Sequence, residues 1–251
     1  MILSDLHVHS RFCDGKDLPE DLVLSAIEKG VKRLGIVAHS FVPFDDNAIL
    51  LPKNREKFIQ TVNALKEEYK GEIEILCGLE KDVYSSDDGN GFDYVIGSAH
   101  YFLIDNRYFP VDYSAEAFQQ IVEELLGGDY YLAAELYFRS LEGLVVGRKP
   151  DVIGHFDLVT KFNKNGAFFD VNNERYRKAW QRAADFLLPY GIPFEVNTGA
   201  IARGYRKEPY PALEIVEYVK SKGGKLILSS DAHKKENVAF QFEKWQKYVS
   251  V

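Results

Sequence analysis

The sequence predicts an α/β protein in which seven short parallel strands form a single closed or nearly closed barrel. Strands alternate with amphipathic helices, no linker rich in Pro, Gly or Ser interrupts the alternation, and polar residues follow each strand. A length of 251 residues is usual for one such barrel, so we predict a single domain over residues 1–251. A doubly wound open sheet is the alternative, but no GxGxxG follows the first strand and no GxxxxGKS/T occurs.

Short apolar runs, several of them rich in Val and Ile, mark the strands in chain order. The predicted strands are Ile2–Leu6, Arg33–Ala38, Ile73–Leu79, Tyr94–Ser98, Val152–Gly154, Pro193–Val196 and Lys225–Ser229. Longer stretches with helical periodicity separate most of them. The predicted helices are Pro19–Lys29, Asn54–Tyr69, Ala115–Leu126, Tyr130–Val145, Glu174–Pro189 and Ala212–Ser221. This β-then-α order is that of a parallel sheet.

Composition excludes several classes of function. The 31 basic and 38 acidic residues give a net charge of −7, which is the wrong sign for a protein that holds nucleic acid on a broad basic surface. No apolar run reaches the 18 or more residues that cross a bilayer, and the N-terminus lacks the pattern of a signal peptide. Two cysteines without CxxC spacing predict reduced thiols. We therefore expect a cytoplasmic protein with no nucleic-acid or membrane partner.

The six histidines carry the functional signal, because each of them lies at the carboxyl end of a predicted strand. Carboxylates occupy equivalent positions. In strand order the polar residues are His7 and His9, His39, Glu80, His100, His155, Glu195 and Asn197, and Asp231 and His233. The carboxyl ends of the strands of a parallel barrel meet on one face, where such enzymes build their active sites.

Two i, i+2 pairs point to a metal site. In extended backbone, residues two apart face the same side, so His7 with His9, and Asp231 with His233, can each direct two ligands into one cavity. Imidazole and carboxylate suit Zn²⁺, Mn²⁺ or Fe²⁺, and the absence of clustered thiolates favours a catalytic site over a structural zinc site.

The number of candidate ligands exceeds what one ion can use, so we predict two or three divalent ions. The candidates are His7, His9, His39, Glu80, His100, His155, Asp231 and His233, with Asp14 as a possible ninth. Three divalent ions would bring a charge of about +6 against −3 from the three carboxylates. The resulting positive pocket would attract a phosphate dianion.

The same residues lie in motifs that resemble those of the polymerase-and-histidinol-phosphatase (PHP) superfamily over nearly the whole chain. The motifs are HVHS with DG close behind, AHS at His39, GLE at Glu80, GSAH at His100, GHFD at His155, EVNT at Glu195 and the closing SSDAH. The length, GHFDLV and the run EVNTGAIARGYRKEPYP are similar to the monofunctional histidinol-phosphatase branch.

The resemblance implies a distorted seven-stranded TIM-like (β/α) barrel, the PHP fold, with a trinuclear metal site. It assigns His7, His9, Glu80 and Asp231 to the first ion. Glu80, His100 and His155 would hold the second ion. His39 and His233 would hold the third, together with a residue from the loop after His9. The family often has histidine in that loop, whereas this chain has Cys13-Asp14-Gly15, so Asp14 would take the ligand role.

The resemblance also implies the reaction, which is hydrolysis of the phosphomonoester L-histidinol phosphate in histidine biosynthesis. A hydroxide held between metals would attack phosphorus without a covalent phosphoenzyme, and we assign Glu80, Asp231 and His233 to catalysis. Arg203 follows the sixth strand and Lys161 the fifth, so both can reach the phosphate from the barrel mouth. Glu195 would either orient a metal ligand or contact the amino group of the substrate.

Two other functions remain open at this point. One is a phosphoesterase of the same superfamily with another substrate, such as phosphotyrosine, a nucleotide or an oligonucleotide. The other is a non-catalytic or proofreading-associated metal domain of a polymerase assembly, which the intact ligand set disfavours. We expect a small-molecule substrate and a monomer or homodimer.

Overall fold

The computed structural model describes residues 3–45 and 49–249. Its described strands are β1 (Ser4–His9), β2 (Arg33–His39), β3 (Glu74–Asp82), β4 (Tyr94–Ser98), β5 (Tyr101–Ile104), β6 (Arg107–Pro110), β7 (Val152–Ile153), β8 (Phe194–Asn197) and β9 (Leu226–Ser229). Seven of them form one parallel sheet in the order β1-β2-β3-β4-β7-β8-β9. The other two, β5 and β6, pair as an antiparallel hairpin.

Helices connect most of these strands. They are α1 (Pro19–Glu28), α2 (Pro52–Glu68), α3 (Ala115–Leu125), α4 (Tyr130–Ser140), α5 (Glu174–Leu187), α6 (Gly199–Ala202), α7 (Leu213–Ser221) and α8 (Phe242–Trp245). Short 3₁₀ turns occupy Leu141–Val145, Leu158–Thr160, Lys164–Gly166, Leu188–Tyr190, Lys235–Asn237 and Gln246–Tyr248. None of the described helices has an apolar stretch long enough to cross a bilayer.

Local sequence explains where the longer helices begin. Asp129 caps α4, because its carboxylate accepts hydrogen bonds from the amides of the second and third residues after it. Asn173 caps α5 in the same way, accepting from the amide of Arg175. The largest core cluster lies where these two helices pack on the sheet, and Trp180 and Tyr137 are among its fully buried side chains. Helix α4, which contains Tyr137, therefore contributes to the packing of the core.

The sheet closes where β1 meets the segment after β9. Val8 and Ala232 form a single parallel bridge, in which the His9 amide donates to the Ala232 carbonyl at 2.8 Å. The buried carboxylate of Asp5 accepts hydrogen bonds from the amides of Ser230 (3.0 Å) and Ala239 (2.8 Å). The bridge and the Asp5 carboxylate are therefore among the contacts that close the barrel, and no continuous ladder is described between these segments.

The predicted fold class is confirmed, and all seven predicted parallel strands are found. The first three strands extend further than predicted, to His9, His39 and Asp82, so their polar residues are the last residues of the strands themselves. Ile2, the first residue of the predicted strand 1, lies outside the described residues.

Two kinds of feature differ from the predictions. The β5–β6 hairpin and the short helices α6 and α8 have no predicted counterpart, because runs of four residues are too short to show a periodicity. The predicted helix Tyr130–Val145 is α-helical only to Ser140 and continues as a 3₁₀ turn.

Candidate metal centre

The strand ends converge on Glu80, whose carboxylate lies at the centre of a cluster of histidines. Its Oε2 atom lies 3.3 Å from His7 Nε2, 3.3 Å from His9 Nε2 and 2.9 Å from His39 Nδ1. Its Oε1 atom lies 2.8 Å from His155 Nε2 and 3.3 Å from His100 Nε2. Five of the six histidines therefore contact one buried carboxylate.

Three overlapping groups of side chains have metal-binding geometry, with ligand atoms within 4.8 Å of one another in each group. The groups are His9, Asp14, His39 and His233; His7, His9 and Glu80; and His39, Glu80 and His100. Because the groups share members, the arrangement suits bridged ions better than one isolated ion. All nine predicted ligands lie in or beside this cluster.

Several buried polar atoms in the cluster lack a hydrogen-bond partner. Glu80 Oε2 makes no hydrogen bond of proper geometry in spite of its short contact with His39, and Asp14 Oδ1 and His155 Nδ1 also have none among the described residues. An unsatisfied buried polar atom costs about 1–3 kcal/mol. A divalent cation would satisfy the two carboxylate oxygens, so the donor set fits metal ions.

The electrostatics of the cluster favour metal binding at Glu80 and His9. Burial would lower the pKa of His7, His39 and His100, but nearby carboxylates raise it, so a metal would displace protons from these three rings. Burial would raise the pKa of Glu80, but the nearby His39 and His7 rings lower it well below its ordinary value. Burial lowers the pKa of His9 to about 3, assisted by the charges of His233 and His39. The Glu80 carboxylate is therefore ionised and the His9 ring is neutral, which are the forms that bind metals.

Outer carboxylates hold two of the histidine rings in place. His7 Nδ1 lies 2.7 Å from Glu195 Oε1, and Glu195 Oε2 accepts from the His155 amide at 3.0 Å. His100 Nδ1 lies 3.1 Å from Asp82 Oδ2, which also accepts the amide of His100 at 2.9 Å. Hydrogen bonds at Nδ1 leave Nε2 of each ring directed at Glu80.

For Glu195 the sequence left two roles open, orientation of a metal ligand and contact with the amino group of the substrate. Only 1% of its surface is exposed, and it also accepts a hydrogen bond from Asn197 Nδ2 at 3.1 Å. This is the geometry of the orienting role. It gives no support to a direct contact with the substrate.

Asp231 reaches the cluster by a different route from the one predicted. Its φ of 48° is left-handed, a conformation that Asp tolerates better than most residues, so the Asp231–His233 pair is not in extended backbone as predicted. Asp231 Oδ1 nevertheless lies 3.7 Å from His7 Nε2 and 3.5 Å from His9 Nε2. The turn, not strand periodicity, directs this carboxylate inward.

Arg203 lies beside the same carboxylate. Its Nη2 donates to Asp231 Oδ2 at 2.9 Å, and its Nη1 lies 2.9 Å from His233 Nδ1. The guanidinium thus holds two candidate ligands, and its Nε has no hydrogen-bond partner among the described residues. Burial would lower the Arg203 pKa, but Asp231 raises it, so the charge is permanent.

The loop after His9 brings Asp14 to His233, with Asp14 Oδ2 and His233 Nε2 2.9 Å apart. A Cβ at Gly15 would lie 2.4 Å from the His9 carbonyl oxygen, so only glycine allows this close return of the loop. Cys13 Sγ lies 3.4 Å from His9 Nδ1, and burial raises the pKa of this thiol to about 11. Asp14 is therefore the ionised ligand of the loop.

Lys161 is held apart from the cluster. Its Nζ donates to Asp112 Oδ2 at 3.0 Å and to the Asp112 carbonyl at 2.8 Å. Both residues line a cavity of about 280 Å³ that also exposes Asp14, His39 and His100. Lys161 thus borders a cavity from which it could contact a phosphate, as predicted, although its ammonium group already has Asp112 as a carboxylate partner.

Sequence reasoning did not select Asp82 or Asp112. Asp82 could have been found, because Glu80-Lys81-Asp82 is a third i, i+2 pair at a strand end, equivalent to His7-Val8-His9. Asp112 carries no comparable signal, since it follows a hairpin that the sequence did not predict.

The comparisons with known proteins agree with this geometry. The family model of the PHP domain matches residues 5–199. The histidinol-phosphatase of Bacillus subtilis (strain 168) is 26% identical over an alignment 262 residues long, gaps included. The alignment covers 95% of this chain and 96% of that protein.

Two solved structures share the fold. The hisK protein of Listeria monocytogenes has a TM-score of 0.87 at 20% identity, and the match covers 96% of this chain and 99% of that one. The histidinol phosphate phosphatase of Lactococcus lactis subsp. lactis Il1403, complexed with Zn, L-histidinol and phosphate, has a TM-score of 0.73 at 23% identity, with 99% and 92% covered. Because the family model spans well over half of the sequence, this chain belongs to the PHP domain family.

Proposed function

We propose that this chain is a metal-dependent phosphomonoesterase that hydrolyses L-histidinol phosphate to L-histidinol and phosphate. The observation that carries the proposal is the convergence of five histidines on the buried Glu80 carboxylate. The choice of substrate is supported by the Bacillus subtilis histidinol-phosphatase, to which the chain is similar over almost its full length. It is also supported by the Lactococcus lactis structure, whose ligands are the two products of this reaction and zinc.

We infer two or three divalent ions, of zinc, manganese or iron. His7, His9, Glu80 and Asp231 would hold the first. The second would be held by Glu80, His100 and His155, and the third by Asp14, His39 and His233. The group of His7, His9 and Glu80 supports the first site, and the group of His9, Asp14, His39 and His233 supports the third. The remaining group joins His39, and not His155, to Glu80 and His100, so His155 is assigned to the second site on its 2.8 Å contact with Glu80.

Divalent ions in these positions would supply Lewis-acid stabilisation of the phosphate charge and lower the pKa of water. The residues of the chain prepare the site for this chemistry. Glu195 and Asp82 fix the rings of His7 and His100 through Nδ1, so that their Nε2 atoms remain available. We assign catalytic roles to Glu80, which belongs to two of the groups, and to Asp231 and His233, whose Oδ1 and Nδ1 atoms lie 3.5 Å apart. We propose direct transfer of the phosphoryl group to water.

Two cations would orient the phosphate. Arg203 donates to Asp231 and lies against His233, so it would position these ligands and its positive charge would attract the phosphate. Lys161 lines the adjacent cavity and would contribute its remaining N–H donor to the same phosphate.

Phosphate release by Mn²⁺-loaded protein tests the proposal. L-histidinol phosphate would be compared with p-nitrophenyl phosphate and a nucleotide monophosphate, each with and without a chelator. We expect turnover that is selective for L-histidinol phosphate and that the chelator stops. Turnover of only the generic substrates would retain the metal site and overturn the substrate assignment, whereas turnover that survives chelation would overturn the metal mechanism.

A further inference from the structure

The cavity beside the metal centre has a second charged side, which the phosphate chemistry does not explain. Its volume of about 280 Å³ is close to the lower end of the range for small-molecule sites, about 300–1,000 Å³. One side carries the candidate ligands Asp14, His39 and His100. The other side, which we call the hairpin wall, consists of Tyr101, Pro110, Asp112 and Tyr113.

The β5–β6 hairpin fixes the hairpin wall next to the metal centre. The hairpin begins directly after His100, and Tyr101 pairs with Pro110. The Val111 amide then donates to the His100 carbonyl at 2.8 Å, so the chain has returned to its starting point. Asp112 is the next residue and is therefore held close to a metal ligand by backbone hydrogen bonds.

Asp112 lines this cavity with a partly exposed side chain. Lys161 donates to Oδ2, whereas no residue that the structure describes donates to Oδ1. The side chain is 29% exposed, in contrast to the enclosed Glu195. Burial alone would raise the pKa of Asp112, but the charges of Lys161 and then His100 outweigh burial and lower the pKa below its ordinary value. The carboxylate is therefore ionised near neutral pH.

Lys161 offsets the charge of Asp112 at Oδ2, which leaves Oδ1 as an acceptor for a positively charged part of the substrate. L-histidinol phosphate carries an ammonium group two carbons from its phosphate oxygen, and a hydrogen bond between charged groups is stronger than one between neutral groups. We propose that Asp112 is a specificity-determining residue whose carboxylate binds the α-ammonium group of the substrate, an inference that rests on the proposed function.

The test compares two substrates that differ only in the ammonium group, L-histidinol phosphate and 3-(imidazol-4-yl)propyl phosphate. Asp112→Asn should lower kcat/KM for L-histidinol phosphate by about 10- to 100-fold, mainly through KM, because a charge-assisted hydrogen bond is lost. The same variant should change kcat/KM for the deamino substrate by less than about threefold. Asp112→Glu, which keeps the charge, should recover part of the loss.

Two comparison variants separate recognition of the ammonium from other effects. Lys161→Met removes a phosphate contact common to both substrates, so we expect it to lower kcat/KM for both by similar factors. Asp88→Asn changes an exposed aspartate outside the cavity and should leave both substrates unchanged. Bound metal and the melting temperature would be measured for every variant to verify folding.

Each outcome decides the proposal. If Asp112→Asn lowers kcat/KM equally for both substrates, as Lys161→Met does, Asp112 acts only by holding Lys161 and the inference is overturned. If Asp45→Asn, on the same cavity, reproduces the selective loss and Asp112→Asn does not, the ammonium site is elsewhere. If the unchanged protein does not hydrolyse L-histidinol phosphate, the proposed function fails first and the inference fails with it.

Discussion

The metal-ligand cluster and the hairpin wall face the same cavity, but the sequence specifies them in different ways. The cluster is formed by the last residues of parallel strands, such as His9 on β1 and Glu80 on β3, so the rule that strand ends converge places it. The hairpin wall is formed by an insertion between β4 and β7, and Asp112 depends on that insertion folding back onto His100. Regular architecture therefore supplies the chemistry, and an irregular insertion shapes the part of the cavity that faces the substrate.

The largest expected effect is at the centre of the cluster. Glu80→Gln removes the charge that five histidines face, so we expect kcat/KM to fall by more than about 100-fold, beyond the 10- to 100-fold effect of outer partners. Initial rates and bound metal would be measured together. Glu67→Gln is the matched control, because Glu67 is 79% exposed on α2. Near-normal activity of metal-loaded Glu80→Gln would contradict the ligand assignment.

The second prediction separates the two regions by their effect on stability. A metal at about 100 times its Kd should raise the free energy of unfolding by about 2.7 kcal/mol, because only the folded chain holds the ligands together. Glu80→Gln should lose most of this stabilisation, whereas Asp112→Asn should keep it. Thermal unfolding with and without Mn²⁺ measures both. A large loss in Asp112→Asn would mean that the hairpin wall is part of the metal centre.

Asp82 should give an intermediate effect, because it acts on the cluster through His100. We expect Asp82→Asn to weaken metal affinity or lower activity by about 10- to 100-fold. Metal titration of the apoprotein provides the affinity, and Asp88→Asn serves as the control. Unchanged affinity would show that the backbone alone orients the His100 ring.

The smallest expected effect concerns the turn of the hairpin. Asp105 and Asn106 have φ values of 47° and 58°, which are those of a two-residue turn that favours Asn and Gly. Asn106→Val should therefore be about 1–2 kcal/mol less stable than Asn106→Gly. Denaturant unfolding measures this difference, and both variants should bind metal normally. A loss of metal binding in Asn106→Val would show that the two regions do not fold independently.

The parts of the molecule that the sequence predicted are those governed by a periodic rule. The strands were found from apolar runs, and His7 with His9 were placed on one face by the two-residue repeat of extended backbone. Asp231 shows the limit of that rule, because the residue reaches the cluster through a left-handed turn that the repeat does not describe. The two-residue repeat gives no information about Asp112. Its position depends on the return of the chain to the His100 carbonyl, which is a tertiary contact without a local sequence pattern.

The candidate metal ligands come from both sides of the seam between β1 and the segment after β9. His7 and His9 lie on one side of this seam and Asp231 and His233 on the other, and the Val8–Ala232 bridge and the Asp5 hydrogen bonds are among the contacts that close it. An ion that binds residues from both sides would act as a reversible cross-link between parts of the chain more than 200 residues apart. Because the ion is released when the seam opens, its binding free energy adds to the cost of opening. The supply of metal would therefore govern how long the barrel stays intact as well as how fast it turns over substrate.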